Sequence, residues 1–446
     1  MSKINSIEYK IAQKVKDAGG RVFYVGGYVR DKLLNIENKD IDIEVHGIEP
    51  ETLNEILKEF GTPLTYGKSF GIVSLKDYHL DIAMPRTETS YGIGHRDFNI
   101  KIDPYVGYEK AARRRDFTIN ALMQDVITDE ILDYFNGLDD LKNGIIKAVD
   151  PISFIEDPLR VLRAAQFASR FNFKIDEETI NLCSSIDITQ ISKERVMEEL
   201  KKAFLKSDKP SIFFNVLRQM NQLDYWFKEI KDLINTPQDP IYHPEGDVYN
   251  HTMDVLDRSI IYKNEVSDQF EFEMLALVHD LGKVVTTETI NGRIHAYDHE
   301  IKGLPLIKSL LNRLDNEKHL KKYLLNMTPL HMRLHSLVQN NSSNKSFNHL
   351  FDEAIEPKDL IYFTIIDKSD KTPDEYIDRM FKQLDIYEQI MDTPHVEGDD
   401  LIKMGFKPDK NFKVLLNYAH KMRLAGVSKQ EALKQIMGYS KTINKS

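Results

Sequence analysis

The most constraining feature of the sequence is a glycine pair followed, within 17 residues, by two aspartates on a predicted strand. A short apolar strand is predicted to end at Gly26 and Gly27, a helix to follow, and 40–45 to alternate as a second strand. Residues two apart on a strand face the same side, so Asp40 and Asp42 would present both carboxylates to one point. Mg²⁺ takes oxygen ligands of this kind and keeps room for water and phosphates. The pattern therefore predicts a catalytic metal centre in a sheet-based head.

The glycine pair itself predicts a phosphate-binding turn. Without side chains, Gly26 and Gly27 let backbone N–H groups approach a triphosphate, and Arg30 can add a charge-assisted contact. Asp81, on a predicted strand at 80–83, is a candidate third carboxylate that could help to remove the proton of an attacking hydroxyl. The alternative for Asp81 is an ordinary aspartate at a strand edge.

An arginine cluster at 113–115 is the second motif of the head. We expect these arginines to enter the start of a helix and to bind triphosphate oxygens, with Arg115 among them. Asp116 and Asn120 would position sugar hydroxyls. Asn120 stands among apolar neighbours in the sequence, and this pattern indicates a buried amide with a function. A solvated basic turn is the alternative.

The third motif is an acidic residue, a proline and spaced arginines at a predicted helix start. Asp157 and Arg160 are three apart and therefore neighbours on that helix, and Arg163 extends the same face. Cytosine and adenine both present an exocyclic amine beside a ring nitrogen acceptor, whereas uracil and guanine present the reverse. An aspartate acceptor beside an arginine donor would therefore accept C and A and reject U and G. A capped helix with a salt bridge would produce the same residues.

The carboxyl-terminal half carries a spaced set of histidines and aspartates. They are His251, His279 and Asp280, then Asp370 or Asp367, with His299 and His331 as further candidates. An imidazole and a carboxylate that converge on one divalent metal leave open positions for water and a phosphate ester. The set predicts a metal-dependent hydrolase site, although a lone histidine is more often structural.

Length and patterning predict the architecture. A chain of 446 residues is expected to form two to four domains. The first ~125 residues read as a mixed sheet with helices, and from Pro151 onward the apolar spacing is helical. The predicted fold class is therefore α+β, with a mixed head followed by an all-helical body.

Charge and cysteine content narrow the partners and the compartment. The net charge is −10, yet 401–446 holds ten Lys or Arg against two acidic residues, which indicates a phosphate-backbone contact. The single cysteine, Cys183, excludes an internal disulfide and a multi-cysteine zinc site, and is expected to be a core residue. No segment reaches the length of a membrane span, so we expect a cytoplasmic protein without membrane contact.

The head motifs together resemble those of bacterial class II tRNA nucleotidyltransferases. The runs that carry the resemblance are Gly26–Asp31, Asp40–Asp42, Arg114–Leu122, Glu156–Arg160 and Glu194–Glu199. The resemblance implies a polymerase-β-like head with Mg²⁺, a helical neck, and tRNA, CTP and ATP as partners. It also implies nucleotide selection by Asp157 and Arg160, and nucleotide contacts from Gly27, Arg30, Arg115, Arg160 and Arg163. A full-length segment at 86–98 is similar to the loop used in switching from C to A, which argues against a CC-only enzyme.

The second half is similar to the HD-type hydrolase half of multifunctional CCA enzymes. The resemblance implies phosphatase, 2′-nucleotidase and 2′,3′-cyclic phosphodiesterase activity with a divalent metal such as Ni²⁺, Mn²⁺ or Mg²⁺. The expected domains are a head at 1–148, a neck at 149–225, an HD-type domain at 226–380 and a basic helical tRNA-binding region at 381–446.

Several alternatives stay open at the level of sequence. The chain could be an A-adding tRNA nucleotidyltransferase or a poly(A) polymerase, although the latter generally lacks the second module. It could also be a regulatory nucleotide-binding HD protein with an inactive head, against which the intact Asp40 and Asp42 speak. The second module could be degenerate and retained for packing. The oligomeric state, monomer or homodimer, is open.

Overall fold

The computed structural model describes residues 5–66, 72–75, 78, 80–90, 98–314, 317–368, 372–408 and 410–443. The chain divides into two compact units, the first comprising Met1–Ala203 and Ile212–Gln222, and the second Phe204–Ser211 and Leu223–Ser446. Within the described ranges, none of the helices combines the length and hydropathy that a bilayer crossing needs. The four predicted domain boundaries are finer than this division and stay predictions.

The first unit alternates helices and strands and then becomes helical. Its elements are α1 (Ile7–Asp17), β1 (Arg21–Val25), α2 (Gly27–Leu33), β2 (Ile41–His46), α3 (Pro50–Lys58), β3 (Pro63–Tyr66), β4 (Ile72–Leu75), β5 (Leu80–Ala83), β6 (Arg86–Ser90), β7 (Phe98–Ile102), α4 (Tyr108–Arg113), β8 (Met123–Asp125), β9 (Ile131–Leu132), α5 (Gly137–Asn143), β10 (Ile145–Ile146), α6 (Pro151–Phe154), α7 (Leu159–Phe171), β11 (Lys174–Ile175) and α8 (Glu177–Ser184). Two further helices, α9 (Lys193–Leu205) and α10 (Ser211–Gln219), lie mostly in it.

A seven-stranded sheet forms the frame of the head. Its strand order is β3-β4-β5-β2-β1-β8-β9, and β2 pairs in parallel with β5, with Asp42 directly opposite Asp81. After Arg21 the interior strand β1 is apolar, and Val22, Phe23 and Val25 are buried, because an interior strand of this sheet is covered on both faces. The register therefore brings two of the predicted catalytic aspartates to neighbouring strands.

The second unit is mainly helical. Its elements are α11 (Lys228–Lys231), α12 (Val248–Ser259), α13 (Gln269–Val278), α14 (Lys283–Thr286), β12 (Thr287–Ile290), β13 (Arg293–Ala296), α15 (His299–Lys302), α16 (Leu304–Leu314), α17 (Lys318–Met327), α18 (His331–Gln339), α19 (Asn344–Glu353), α20 (Pro357–Lys368), α21 (Asp374–Asp392), α22 (Gly398–Lys403), α23 (Lys410–Leu424) and α24 (Lys429–Ile443). The last three helices share a small core whose buried members include Leu401, Leu415 and Ile436.

Helix α13 is the centre of this unit, because every residue from Phe270 to Val278 is buried. A helix that is buried around its whole circumference must be surrounded by other elements. Its end fixes His279 and Asp280, which follow the last helical residue rather than lying within a helix.

The predicted fold class, an α+β head followed by a helical body, is confirmed. The sequence did not predict the antiparallel hairpin of β12 and β13, which interrupts the helical body. Cys183 is fully buried and burial raises its pKa to about 12, as expected of a core thiol.

Candidate functional site

Three aspartates lie on or directly before the adjacent strands β2 and β5 of the head. Asp40 directly precedes β2, Asp42 is its second residue, and Asp81 is the register partner of Asp42 on β5. Burial and the negative charges of Asp81 and Asp40 raise the pKa of Asp42 to about 6, against the opposing effect of Arg115. A divalent cation would relieve this concentration of like charge, so the residues fit the metal centre that the spacing predicts.

The glycine turn lies against an arginine. Gly26 has a φ of +63°, a conformation that favours glycine, and a Cβ at this position would lie 3.0 Å from the Arg115 Nη1 atom. The Arg115 Nη2 atom donates to the Glu44 carboxylate at 3.3 Å, while the buried Nε has no partner among the described residues. Arg115 thus combines a position at the turn, a charge felt by Asp42 and an unused donor. These properties suit a phosphate oxygen.

Arg30 lies deeper than the sequence suggested. Its side chain is 3% exposed, and its guanidinium donates to Asp31 through Nε and Nη2 at 2.8 and 2.6 Å and to Asn120 Oδ1 at 2.6 Å. The guanidinium carbon lies 4.9 Å and 4.7 Å from the ring centres of Phe167 and Phe171. Arg30 therefore holds α2 against α7, and its predicted phosphate contact stays a prediction.

Asp116 and Asn120 continue this buried network. The Asn120 amide donates to Asp116 Oδ1 at 2.9 Å, and Arg163 Nε donates to Asp116 Oδ2 at 2.7 Å. Burial alone would raise the pKa of Asp116, but Arg163 and the Asn120 amide hold it below its usual value. The structure thus brings together the predicted sugar-positioning pair and Arg163 of α7.

The predicted selecting pair is arranged differently from the simple salt bridge. Arg160 donates to the backbone carbonyls of Ser153 at 2.8 Å and Arg114 at 2.7 Å. Asp157 instead pairs with Arg195, whose Nη2 lies 3.2 Å from Oδ2. Arg195 was not singled out as a site residue, because its pairing with Asp157 depends on how α9 packs.

The expectation that the arginine cluster enters a helix start is wrong. Arg113 is the last residue of α4 and Arg114 caps its carboxyl end, because the chain turns there toward Asp116. Arg113 pairs with Glu109 at 2.6 Å in the same helix. Arg115 is the arginine of this cluster whose positive charge acts on Asp42, where it lowers the pKa of the carboxyl group.

The histidine and aspartate set of the second unit converges. One group comprises His251 of α12, His279 after α13 and Asp367 of α20, and another comprises Asp280, His299 and His331. The Asp367 Oδ1 atom lies 3.1 Å from His251 Nε2 and 3.6 Å from His279 Nε2. Within each group the ligand atoms lie within 4.8 Å of one another.

Asp280 joins the two groups through its separate oxygens. Its Oδ2 atom lies 3.1 Å from His279 Nε2, and its Oδ1 atom lies 3.2 Å from His299 Nε2. Burial opposes ionisation, yet His279 and Lys283 hold the pKa of Asp280 well below its usual range. The carboxylate is therefore charged and faces both groups.

The imidazoles are oriented for metal binding. The Nδ1 atoms of His279, His299 and His331 donate to the carbonyls of Ala276, Ala296 and Thr328 at 2.9, 2.8 and 2.6 Å. Their Nε2 atoms then face carboxylate oxygens or each other, with 3.4 Å between the Nε2 atoms of His299 and His331. Imidazoles whose Nδ1 is held by a carbonyl and whose Nε2 converges with carboxylate oxygens form a donor set that fits a divalent metal.

Two further residues were missed by the sequence reasoning. Glu245 accepts a hydrogen bond from His251 Nδ1 at 2.8 Å and so orients that imidazole, and His243 contacts the same carboxylate at 3.0 Å. Both lie in a polar stretch that reads as a loop. The predicted ligand Asp370 lies outside the described residues and stays a prediction, whereas the alternative Asp367 lies within the cluster.

Comparisons with known proteins match two segments of the chain and, in relatives, most of its length. A sequence profile of the family described as "Poly A polymerase head domain" matches residues 22–147. Another, described as "Probable RNA and SrmB- binding site of polymerase A", matches residues 172–234. A multifunctional CCA protein of Mannheimia succiniciproducens is 33% identical over 401 residues, 87% of this chain and 93% of the relative. One of Actinobacillus pleuropneumoniae serotype 5b is 35% identical over 326 residues, 72% of this chain and 77% of the relative.

Solved structures share the fold. A Thermotoga maritima CCA-adding enzyme complexed with tRNA is 22% identical with a TM-score of 0.64, covering 96% of this chain and 93% of that one. A CCA-adding enzyme in complex with ATP is 21% identical with a TM-score of 0.69, covering 99% of this chain and 95% of that one.

The sheet, its carboxylate cluster and the matched head profile define a nucleotidyltransferase of the polymerase type, a class that depends on divalent metal. The extent of the curated matches is more specific. The chain belongs to the family of multifunctional CCA proteins, and the predicted resemblance is confirmed.

Proposed function

We propose that this chain adds C, C and A in turn to the 3′ end of tRNA, with CTP and ATP as donors. The observation that carries the proposal is the cluster of Asp40, Asp42 and Asp81 beside Arg115 and the Gly26 turn. The multifunctional CCA proteins that match most of the chain support it.

In the proposed reaction the tRNA 3′-hydroxyl attacks the α-phosphate of the nucleotide and diphosphate leaves. Mg²⁺ held by Asp40 and Asp42 would stabilise charge on the attacking and leaving oxygens. Asp81, whose Oδ1 accepts a hydrogen bond from the Ser74 hydroxyl, would take the proton of the attacking hydroxyl. Arg115 would bind a phosphate oxygen through its unused Nε.

Nucleotide choice would fall to the start of α7. Arg160 offers donors and Asp157 offers acceptors, and the negative charges of Asp116 and Asp157 favour the charged form of Arg160 although burial lowers its pKa. A base that places a donor against Arg160 or an acceptor against Asp157 would leave buried polar groups unpaired, which costs about 1–3 kcal/mol each.

The direct test is sequencing of products made from two tRNAs, one ending at the discriminator base and one ending in CC. We expect CCA on the first and a single A on the second. Extension of the CC-ending tRNA alone would identify an A-adding enzyme, and long adenosine tails would identify a poly(A) polymerase.

For the second unit we propose a phosphohydrolase that removes 2′-phosphates or opens 2′,3′-cyclic phosphates, with tRNA-end repair as its purpose. What supports it is the convergence of four imidazoles and two carboxylates in two adjoining groups, of which His251, His299, His331 and both carboxylates line one cavity. A divalent metal there, such as Ni²⁺, Mn²⁺ or Mg²⁺, would supply an activated water and a site for the phosphate oxygens. His331 suits ligation because burial and the nearby His279 and His299 lower its pKa to about 3, so it stays neutral.

The metal proposal is tested by counting ions. Since Asp280 faces both groups, we expect two ions per chain when the metal-stripped protein is reloaded separately with each metal and analysed by mass spectrometry. Asp280→Ala should lose both ions together with phosphate release from 2′-AMP, while His331→Ala should keep one ion. Asp385→Ala, an exposed aspartate on α21, is the control. Full metal content and activity in Asp280→Ala would contradict the proposal.

A further inference from the structure

A cavity of about 690 Å³ opens over the histidine and aspartate cluster of the second unit. Its floor includes His251, Asp280 and Asp367, and its walls include the hairpin strand β13 and the loop that carries Tyr242. This volume lies within the range of small-molecule sites, which is roughly 300–1,000 Å³. The cavity is therefore much larger than a phosphate group needs, and the remaining wall must serve the rest of the substrate.

The wall carries an exposed aromatic ring with one face already covered. Tyr297 is 62% exposed, and its ring lies parallel to that of His295, with 5.1 Å between centroids and 10° between planes. His295 lies on β13 and Tyr297 directly follows the last residue of that strand. His295 therefore holds the Tyr297 ring in place.

The ring and the metal-facing cluster lie close together in the chain. Tyr297 precedes His299 by two residues, and both line the cavity. Lys283, Arg293 and Lys368 line it as well and supply positive charge for a phosphate. A second exposed tyrosine, Tyr242, is 70% exposed on the wall. An aromatic wall beside a cationic, metal-binding floor matches a base linked to a phosphate through a ribose.

We propose that Tyr297, held by His295, is the stacking platform for the nucleobase of a nucleotide whose ribose phosphate is hydrolysed at the cluster. The inference rests on the proposed hydrolase activity and adds the residues that would hold the base of an unpaired nucleotide. Stacking tolerates every base, because each offers a flat π-face, so the site would not discriminate strongly among bases.

The test compares a substrate that has a base with one that has none, in the full-length, metal-loaded protein. Loss of one base-stacking contact in Tyr297→Ala should raise KM for 2′-AMP roughly 5- to 150-fold and leave kcat nearly unchanged. The KM for β-glycerophosphate and the inhibition constant of inorganic phosphate should not change. Tyr297→Phe, which keeps the ring, should behave as the parent. An RNA ending in a 2′-phosphate, run in parallel, distinguishes a chain end from a free nucleotide.

Binding of 2′-AMP by calorimetry, measured in an Asp280→Ala background that is not expected to hydrolyse it and with the head saturated with CTP, gives a readout that is independent of turnover. Weaker 2′-AMP binding in Tyr297→Ala, with binding by Tyr297→Phe equal to that of the parent, supports the stacking platform. Unchanged values, or equal losses for both substrates, overturn it while the hydrolase proposal stands. If the parent hydrolyses neither substrate, the hydrolase proposal fails and the binding measurement alone decides for or against the platform.

Discussion

At the scale of single residues, Asn38 holds the backbone at Asp40, one of the predicted metal ligands. It lies in the loop before β2, where its Oδ1 accepts a hydrogen bond from the Asp40 backbone N–H at 3.0 Å and its Nδ2 donates to Asp31 Oδ2 at 3.0 Å. Asp31 is buried and is also contacted by Arg170 at 3.0 Å. Asn38 thus connects the backbone of Asp40 to the buried Asp31 of α2, and its predicted role is to position Asp40.

We predict that Asn38→Ala raises the Mg²⁺ concentration needed for half-maximal nucleotide addition by roughly 10- to 100-fold, since outer-shell partners of metal ligands have effects of this size. The kcat at saturating Mg²⁺ and the choice of nucleotide should change little. Glu37→Ala, an exposed neighbour in the same loop, is the control. A Mg²⁺ requirement equal to that of the parent would show that Asn38 has no positioning role.

The selecting residues give a second prediction at this scale. Arg160→Ala should lower the preference for C and A over U and G by roughly 100-fold, because the base loses the donor that Arg160 supplies. Arg195→Ala should lower it by a smaller factor, since Asp157 keeps its acceptors but loses the partner that orients them. Misincorporation of each of the four nucleotides measures both effects. Unaltered selectivity in Arg160→Ala would refute selection by α7.

Spacing was sufficient to predict that Asp40 and Asp42 lie near each other, and the charge of Asp40 does raise the pKa of Asp42. The partnership of Asp157 with Arg195, 38 residues away, was not predictable from spacing because it depends on packing between helices. The same holds for Glu245, whose role depends on the approach of His251.

At the scale of elements, α13 carries a carboxyl group in the centre of the second unit. Glu273 is 0% exposed, and its contact with Gln269 Nε2 is 2.7 Å. Burial raises the pKa of Glu273 to about 7, against the opposing effects of Gln269 and Lys263. Because the folded-state pKa lies above the unfolded value, the unfolded state loses its proton first as the pH rises. Stability therefore falls between about pH 4.5 and 7.

We predict that Glu273→Gln is nearly neutral for stability at pH 4.5 and stabilising by about 1–3 kcal/mol at pH 8, where the parent must bury a charge. Urea unfolding at the two pH values measures the difference. Glu288→Gln, on exposed strand β12, should show no such pH dependence. A constant difference across the range would mean that Glu273 does not titrate near neutrality.

Long periodic helices and the apolar strand β1 were predictable because their patterns arise from burial on one or all sides. The hairpin of β12 and β13 was not, since its strands lie on the surface and alternate weakly. The prediction that the arginine cluster begins a helix was wrong because a run of charged residues does not show which end of a helix it occupies.

At the scale of the whole molecule, the carboxyl-terminal helices carry a net positive charge, whereas the chain as a whole has a net charge of −10. Lys410, Lys413 and Lys421 of α23 are exposed and recur on one side of that helix. We propose that this face contacts the phosphate backbone of tRNA, as the charge pattern predicts.

Replacing these three lysines with alanine should weaken tRNA binding and reduce the slope of log K against log salt by about 2–3, because that many counterions are no longer released. Affinity for CTP should stay unchanged. Lys308, Lys318 and Lys322, exposed in the same unit, form the matched control triple. An equal loss in both triples would show that only net charge matters.

The central claim is that the carboxylates beside β2 form the nucleotide-adding centre. It is tested most directly by measuring incorporation of labelled CTP and ATP into tRNA trimmed to the discriminator base. Relative to the parent, Asp40→Ala/Asp42→Ala should lose incorporation by on the order of 10³-fold or more, whereas Asp280→Ala should retain it. Parent-level incorporation by the double variant would contradict the account.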